Sequence, residues 1–362
     1  MIEIICNEEN SDKSKQVTRG AAIRRPKNIK QIGEVSSDKK IYIEDYAFTY
    51  INSIAYNNPS DSQAGVLLGE NQTDGAEKYV NETDCLIAVG PVYTDLNAFG
   101  FNLPYKINNQ IAIYGTHTYV EGEKYDNVKM SDVLEAVTKL VDSKDMKILK
   151  PAIGYEHKAS SPDALTSEYI YPRLQEFIKD NDIIVAETGI IPHGVAPMKF
   201  PATAELQTQT LWGSIGWATP AALGVCLAKP KSRVILITGE GSHQLTAMEI
   251  GNMLRRGVKP IVIVLNNKGY TIERVLSETP KDCFNDIMQM NYSKFARVFE
   301  GDVWSTKVST ADDFDKALKV TQIMNKMCYI EICTEAMDMP KLTQDLIANL
   351  KSKAPKIEAV KK

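Results

Sequence analysis

Two short segments carry side chains whose types and spacing suit the grip of a phosphate-bound cation: Gly239-Glu240-Gly241-Ser242 and Asn266-Asn267-Lys268-Gly269. A hard cation such as magnesium takes oxygen ligands in near-octahedral geometry, commonly one or two protein side chains plus phosphate oxygens. Glu240 offers a carboxylate oxygen, Asn267 an amide oxygen and Gly269 a backbone carbonyl. The glycines let the backbone approach a phosphate, and Ser242 adds a hydroxyl and an N–H. Together the segments read as a magnesium–diphosphate clamp. Either one alone is also an ordinary strand-to-helix turn, and Asn266-Asn267 would equally end a strand in a turn.

The elements that must hold these residues are strands feeding loops. Val234 to Thr238 (VILIT) and Pro260 to Leu265 are short apolar runs of the kind found in buried parallel strands, and each delivers one of the two segments at its carboxyl end. In open α/β sheets ligands bind at that end. Asp182 to Ala186 is a third such strand, followed by Glu187-Thr188-Gly189; later come a helix from Ala311 to Met324, a strand Cys328 to Cys333 and a helix from Pro340 to about Leu350. Helix-period residues run from Leu165 to Asp180, where Pro172 is expected to break or offset the helix. Gly216 to Leu227 is a small-residue helix, and one helix is expected from about His243 to Arg255. Upstream, Cys85 to Val89 and Gln110 to Tyr114 are strand runs, and a helix spans Val133 to Val141. Ile41 to Ala55 reads as a short strand running into a helix. The alternation predicts an α/β protein with mostly parallel sheets. Its divisions are a divergent N-terminal segment at 1–64 that includes a polar, charge-rich arm over 7–40, a first α/β part at 65–150, a linker at 151–164, a second α/β domain at 165–350 and a solvated tail at 351–362.

Composition bounds the partners. The chain has 362 residues, 43% hydrophobic and 24% charged, and a net charge of −4. That leaves no global basic field for nucleic acid or anionic lipid. No apolar stretch approaches the roughly 20 residues of a membrane span, and the acidic N-terminus is unlike a secretory signal. The six cysteines (Cys6, Cys85, Cys226, Cys283, Cys328, Cys333) lack metal-ligand spacing and point to a reduced, cytoplasmic protein. The four histidines are isolated and read as structural or surface residues.

Four ordered segments carry a resemblance: AETG (186–189), LWGSIGWATPAALG (211–224), VILITGEGSHQLTAMEI (234–250) and VLNNKGYTIERVL (264–276). The chain resembles the pyruvate and indolepyruvate decarboxylase branch of thiamin diphosphate enzymes. The resemblance implies two Rossmann-like three-layer domains, part of the family's middle domain over 65–150 and its diphosphate-binding domain over 165–350. It implies that Glu240, Asn267 and the Gly269 carbonyl bind Mg2+, and that Gly241, Ser242, Thr271 and Ile272 hold the diphosphate. Gly213 matches a carbonyl that accepts from the aminopyrimidine, Ile215 the residue that props the cofactor in a bent shape, and Thr188 a residue lining the site. Glu273 matches the carboxyl group that works beside the substrate. On the residues alone, Ile215 serves equally as core, Glu273 as a solvated first-turn carboxylate, and Trp212 and Trp217 as packing.

The implied activity is non-oxidative decarboxylation of a 2-oxo acid, of pyruvate or indolepyruvate type, to an aldehyde. The alternatives are a non-catalytic thiamin diphosphate-binding remnant or subunit and an acetolactate synthase-like carboligase. The family's activating glutamate and paired histidines belong to a pyrimidine-binding domain for which 362 residues leave no room, and the sequence has no His-His. The expected partners are therefore a separate pyrimidine-domain chain or a homo-oligomer. Cys6-Asn7-Glu8-Glu9-Asn10 faintly echoes the activating motif without the small-residue helix that should follow it. Two further departures weaken the grip: Glu240 stands where the family has aspartate, and Ile190 where some members have threonine.

Overall fold

A computed structural model describes residues 86–91, 110–142, 154–155, 163–209 and 212–353. The chain divides into a unit Met1–Tyr42 and a unit Ile43–Lys362, and all described residues lie in the second. The polar arm, the Ile41 to Ala55 element, the Glu8 motif, Cys6, Cys85 and the last nine residues fall outside the described residues.

The main sheet is built from β5 (Ile183–Ala186), β6 (Glu205–Thr208), β7 (Val234–Gly239), β8 (Ile261–Asn266), β9 (Val303–Val308) and β10 (Met327–Cys333). Its order is β6-β5-β7-β8-β10-β9, and every pairing is parallel. Side chains alternate between two apolar cores. Ile184, Ala186, Ile235, Ile237, Ile263 and Ile330 face one side; Val185, Leu236, Val262, Val264 and Tyr329 face the other. The first core is closed by α2 (Ser167–Phe177), α3 (Ile191–Val195) and α9 (Ala311–Thr321), through Tyr169, Leu174, Val195, Phe314 and Leu318. The second is closed by α4 (Ala218–Ala228), α6 (Glu249–Arg255) and α8 (Tyr292–Phe295), through Ala222, Met253 and Tyr292. This is a three-layer α/β domain. Burial on both faces is why the central strands read as unbroken apolar runs.

The strand order reverses beside β5: the chain goes outward to β6, then returns to place β7, β8 and β10 on the other side. In open α/β sheets the loops on either side of such a reversal diverge and leave room for a ligand. Glu187 and Thr188 follow β5, Glu240 follows β7 and Asn267 follows β8.

Several expectations change in detail. Pro172 lies inside α2 without ending it; Tyr169, Tyr171, Pro172, Leu174 and Phe177 are all buried, and that packing offsets the missing backbone bond. The expected helix 243–255 is two: α5 (Glu240–Thr246) starts three residues earlier, and Ala247 and Met248 separate it from α6. Across the joint, Ile250 N–H donates to Ala247 and Gly251 N–H to Met248, a tighter three-residue winding. The edge strands β6 and β9 were not anticipated, because half-buried edges carry polar residues. In the expected linker, Tyr155 is tied down by its N–H to Gln175 Oε1 (2.9 Å) and its hydroxyl to the Gly194 carbonyl (2.8 Å).

In the preceding part, β1 (Leu86–Val89) pairs in parallel with β2 (Gln110–Ile113), which continues antiparallel into β3 (His117–Val120) and β4 (Glu123–Asp126), followed by α1 (Met130–Asp142). The β3–β4 hairpin turns on Glu121 and Gly122, both at positive φ (51° and 86°), the backbone that suits a two-residue hairpin. Among the described residues no helix is long and apolar enough to cross a membrane.

Candidate functional site

The loops after β7 and β8 are joined directly: the Gly269 N–H donates to Glu240 Oε1 at 2.6 Å. Glu240 is buried, at 1% exposure. Burial pushes its carboxyl up to about 7, opposed by backbone N–H donors including Gly269 and Asn267 and by the charge of Arg274. Among the described residues it forms no ion pair. Asn267 is equally enclosed, and its Oδ1 has no hydrogen-bond partner. A buried amide oxygen without a donor is costly unless something else satisfies it. A carboxylate, an unpartnered amide oxygen and a carbonyl at residue 269 form an all-oxygen donor set that fits a hard divalent cation completed by phosphate oxygens. No cluster of three or more His, Cys, Asp or Glu suited to a metal occurs among the described residues.

The surrounding residues shape the pocket wall. A Cβ on Gly241 would lie 2.6 Å from the Tyr270 ring, so only glycine lets that ring lie against the start of α5. Ser242 is buried beside it. Tyr270 is held in turn by its N–H to the Asn285 carbonyl (2.9 Å). Thr271 opens α7 (Thr271–Leu276) and its hydroxyl donates to the Ala336 carbonyl (2.8 Å), while Ile272 packs against the first core. Glu273, on the first turn of α7, is exposed.

On the β5 side, Glu187 is fully buried and bridges strand to loop. Its Oε1 accepts the Thr188 N–H and its Oε2 the Ala218 N–H, both at 3.1 Å. Burial holds its carboxyl above the ordinary range, while donors from Ala218, Thr188, Gly216 and the Thr238 hydroxyl oppose the shift. Gly213, at φ 58°, comes near Thr188: a Cβ there would meet the Thr188 hydroxyl at 3.8 Å. The Thr246 hydroxyl donates to the Gly216 carbonyl (2.8 Å), which ties this loop to α5. The reading of Ile215 as core is corrected, since it is 42% exposed; so is packing for Trp212, at 72%. Trp217 does pack against the second core.

Four further polar residues of this region are buried, three of them without a role in the motifs and His243 in the structural part expected of it. Glu187 lies in a quoted segment without an assigned role. Glu331 is a lone charge in the apolar run MCYIEIC, a signal that was there to use; it is buried and accepts from Asn266 Nδ2 (2.9 Å) and the Ser293 N–H (3.0 Å). Arg274 is buried among carbonyls of the β8 loop. His243 is buried between the Thr219 hydroxyl and the Tyr329 hydroxyl, each at 3.0 Å.

Residues 192–332 match the model for the thiamine pyrophosphate enzyme C-terminal TPP-binding domain, the pyrophosphate being thiamin diphosphate under its other name. The chain is 32% identical over 288 residues to a pyruvate decarboxylase of Kluyveromyces lactis, covering 76% of this chain and 51% of that protein. The same figures hold for pyruvate decarboxylase isozyme 1 of Saccharomyces cerevisiae. The chain thus spans about half the length of the curated relatives it matches. Among solved structures, the thiamine diphosphate-dependent 4-hydroxybenzoylformate decarboxylase of Rhodococcus jostii RHA1 shares the fold, with a TM-score of 0.55 at 21% identity over 80% of this chain and 59% of that one. The β7 and β8 loops lie within the matched stretch 192–332, and β5 with Glu187 and Thr188 precedes it.

Proposed function

We propose that this chain takes part in Mg2+- and thiamin diphosphate-dependent, non-oxidative decarboxylation of a 2-oxo acid, of pyruvate or indolepyruvate type, to an aldehyde. The observation that carries it is the pairing of the buried Glu240 carboxyl with the unpartnered Asn267 Oδ1 across the β7 and β8 loops. The bound cofactor would supply an electron sink for the pair left behind when carbon dioxide departs. Glu240, Asn267 and the Gly269 carbonyl hold the cation. The backbone at Gly241, Ser242, Thr271 and Ile272 faces the diphosphate, and the Gly213 carbonyl accepts from the pyrimidine's amine. Ile215, unburied by its own chain, is free to support the cofactor, with Thr188 lining the same wall. Glu273 keeps an exposed carboxyl group that can hold and return a proton beside the substrate.

A pyrimidine-binding domain, provided by another chain, is part of this reading. Its support is the group of exposed apolar side chains at Trp212, Ile215, Leu245 and Met248, which a packed domain would cover. Homo-oligomeric assembly and a cytoplasmic setting belong to the same proposal; the free thiols of Cys226, Cys283, Cys328 and Cys333 accord with the latter.

The test is the melting temperature with thiamin diphosphate, with and without Mg2+. Mass action predicts a rise in the presence of both when each is well above its Kd, and its loss in Glu240→Ala plus Asn267→Ala. An unchanged melting temperature, or the same rise in the double variant, sinks the clamp. Aldehyde and carbon dioxide release from pyruvate or indolepyruvate then separates an enzyme from a non-catalytic binding subunit.

A further inference from the structure

The four-residue turn 266–269, which carries two of the three proposed cation donors, follows an unusual path. Lys268 has φ 64° and Gly269 φ 142°, two consecutive residues in the region that L side chains seldom adopt. The side chain that faces this turn is Arg274, one turn into α7 and only 7% exposed. Its Nη1 donates to the Asn267 carbonyl at 3.2 Å, and its Nη2 donates to the Lys268 carbonyl and to Asp286 Oδ1 at 2.8 Å. A Cβ on residue 269 would fall 2.3 Å from Nη2 and 2.4 Å from the Asn285 backbone carbonyl, and with φ at 142° the position takes glycine. On the other flank Asn266 Oδ1 accepts the Lys268 N–H at 3.2 Å, while its Nδ2 is anchored on the buried Glu331. The turn is gripped from both sides by the protein's own hydrogen bonds.

We propose that Arg274 is a positioning residue that preforms the 266–269 turn for its cation, by holding the carbonyls of residues 267 and 268 inward so that the Asn267 amide oxygen and the Gly269 carbonyl stay available. The inference rests on the Mg2+–diphosphate reading above. Charge and geometry make opposite demands here. A guanidinium near a cation site repels the cation, so an arginine acting through its charge alone would weaken binding, and one acting through its fork strengthens it. Lysine keeps the charge but loses the planar fork that takes two carbonyls and a carboxylate at once. Magnesium demands near-ideal octahedral geometry and calcium tolerates irregular sites, so a loosened turn penalises magnesium selectively.

The experiment is a cation titration of the full chain at saturating thiamin diphosphate, followed by tryptophan fluorescence, with Mg2+ and Ca2+ in separate arms and the melting temperature of each cofactor-free protein alongside. For Arg274→Lys the Mg2+ midpoint should rise about tenfold and the Ca2+ midpoint about twofold. Equal rises for the two ions would mean general loosening, and an unchanged Mg2+ midpoint would mean no role in the turn; either overturns the proposal. Should Arg274→Lys fail to fold, Asp286→Asn decides: it removes one exposed anchor of the guanidinium, and it should raise the Mg2+ midpoint at least twofold more than the Ca2+ midpoint, with no selective rise overturning the proposal. If the unsubstituted chain binds the cofactor with neither ion, the cofactor reading fails and this inference falls with it; if it binds and the variants match it, only the inference fails.

Discussion

His243 and Glu240 sit three residues apart on one short helix and push the protein's acid stability in opposite directions. His243 is fully buried, and burial drives its imidazole down to about 4 from an ordinary 6.5. Below pH 6.5 the unfolded chain takes up a proton there that the folded protein refuses until about pH 4, so the contribution of this residue is complete above pH 6.5 and declines as the pH falls. Between pH 7 and pH 5 the loss is about 2 kcal/mol. Glu240 runs the other way. Its carboxyl is raised to about 7 from 4.5, so the folded protein binds a proton before the unfolded chain does, and over the same interval stability gains about 2 kcal/mol. The upward shift of Glu187 acts in the same sense as that of Glu240, and the downward shift of His193, to about 4, in the same sense as that of His243. The assay is urea unfolding of the cofactor-free, metal-free protein at pH 7, 6 and 5. Relative to the unsubstituted chain, His243→Gln should move the difference in stability between the two ends of this range by about 2 kcal/mol in favour of pH 5. Glu240→Gln should move it by a similar amount in favour of pH 7. If His243→Gln left the pH dependence where it was, the imidazole would be titrating normally and the account of it as a neutral bridge between Thr219 and Tyr329 would be refuted.

Two further outcomes follow from packing and charge. Gly241→Ala places a methyl against the Tyr270 ring and should cost about 1–3 kcal/mol, read as a lower urea midpoint at unchanged slope; an unchanged midpoint would show that the ring is free to yield. Asp182→Ala strands Arg233, which pairs with both Asp182 oxygens and lies 4.5 Å over the Phe177 ring, and should cost about 3 kcal/mol in the same measurement while leaving cation-dependent cofactor binding intact.

The second domain was legible because its chemistry hangs on strand ends. VILIT and the run ending in Leu265 are buried on both faces, so their composition announces strands, and the residues just past them announce the clamp. Edge strands announce much less. ELQT in β6 and VWSTKV in β9 each meet a neighbouring strand on one side only and keep polar residues that could equally sit in a loop. The residues that hold the donor-bearing turn were the least legible part of the site. Arg274 looks like any helix-surface arginine in TIERVL, and its burial depends on the Asn267 and Lys268 carbonyls turning toward it, a tertiary fact that no spacing in the sequence encodes. Ile215 shows the reverse. Its type argued equally for core, and at 42% exposure the described residues do not bury it.

The two cores on either side of the main sheet divide β7 residue by residue, Ile235 and Ile237 to one and Val234 and Leu236 to the other. The strand is therefore counted in steps of two, and the site shares the count, because Glu240 follows its last residue, Gly239, without a spacer. Losing or gaining one residue within VILIT would exchange the two faces and swing the carboxylate away from Gly269 in the same stroke. Length, not only identity, is under constraint in this strand: its register is the one quantity on which the interior and the cofactor end both depend.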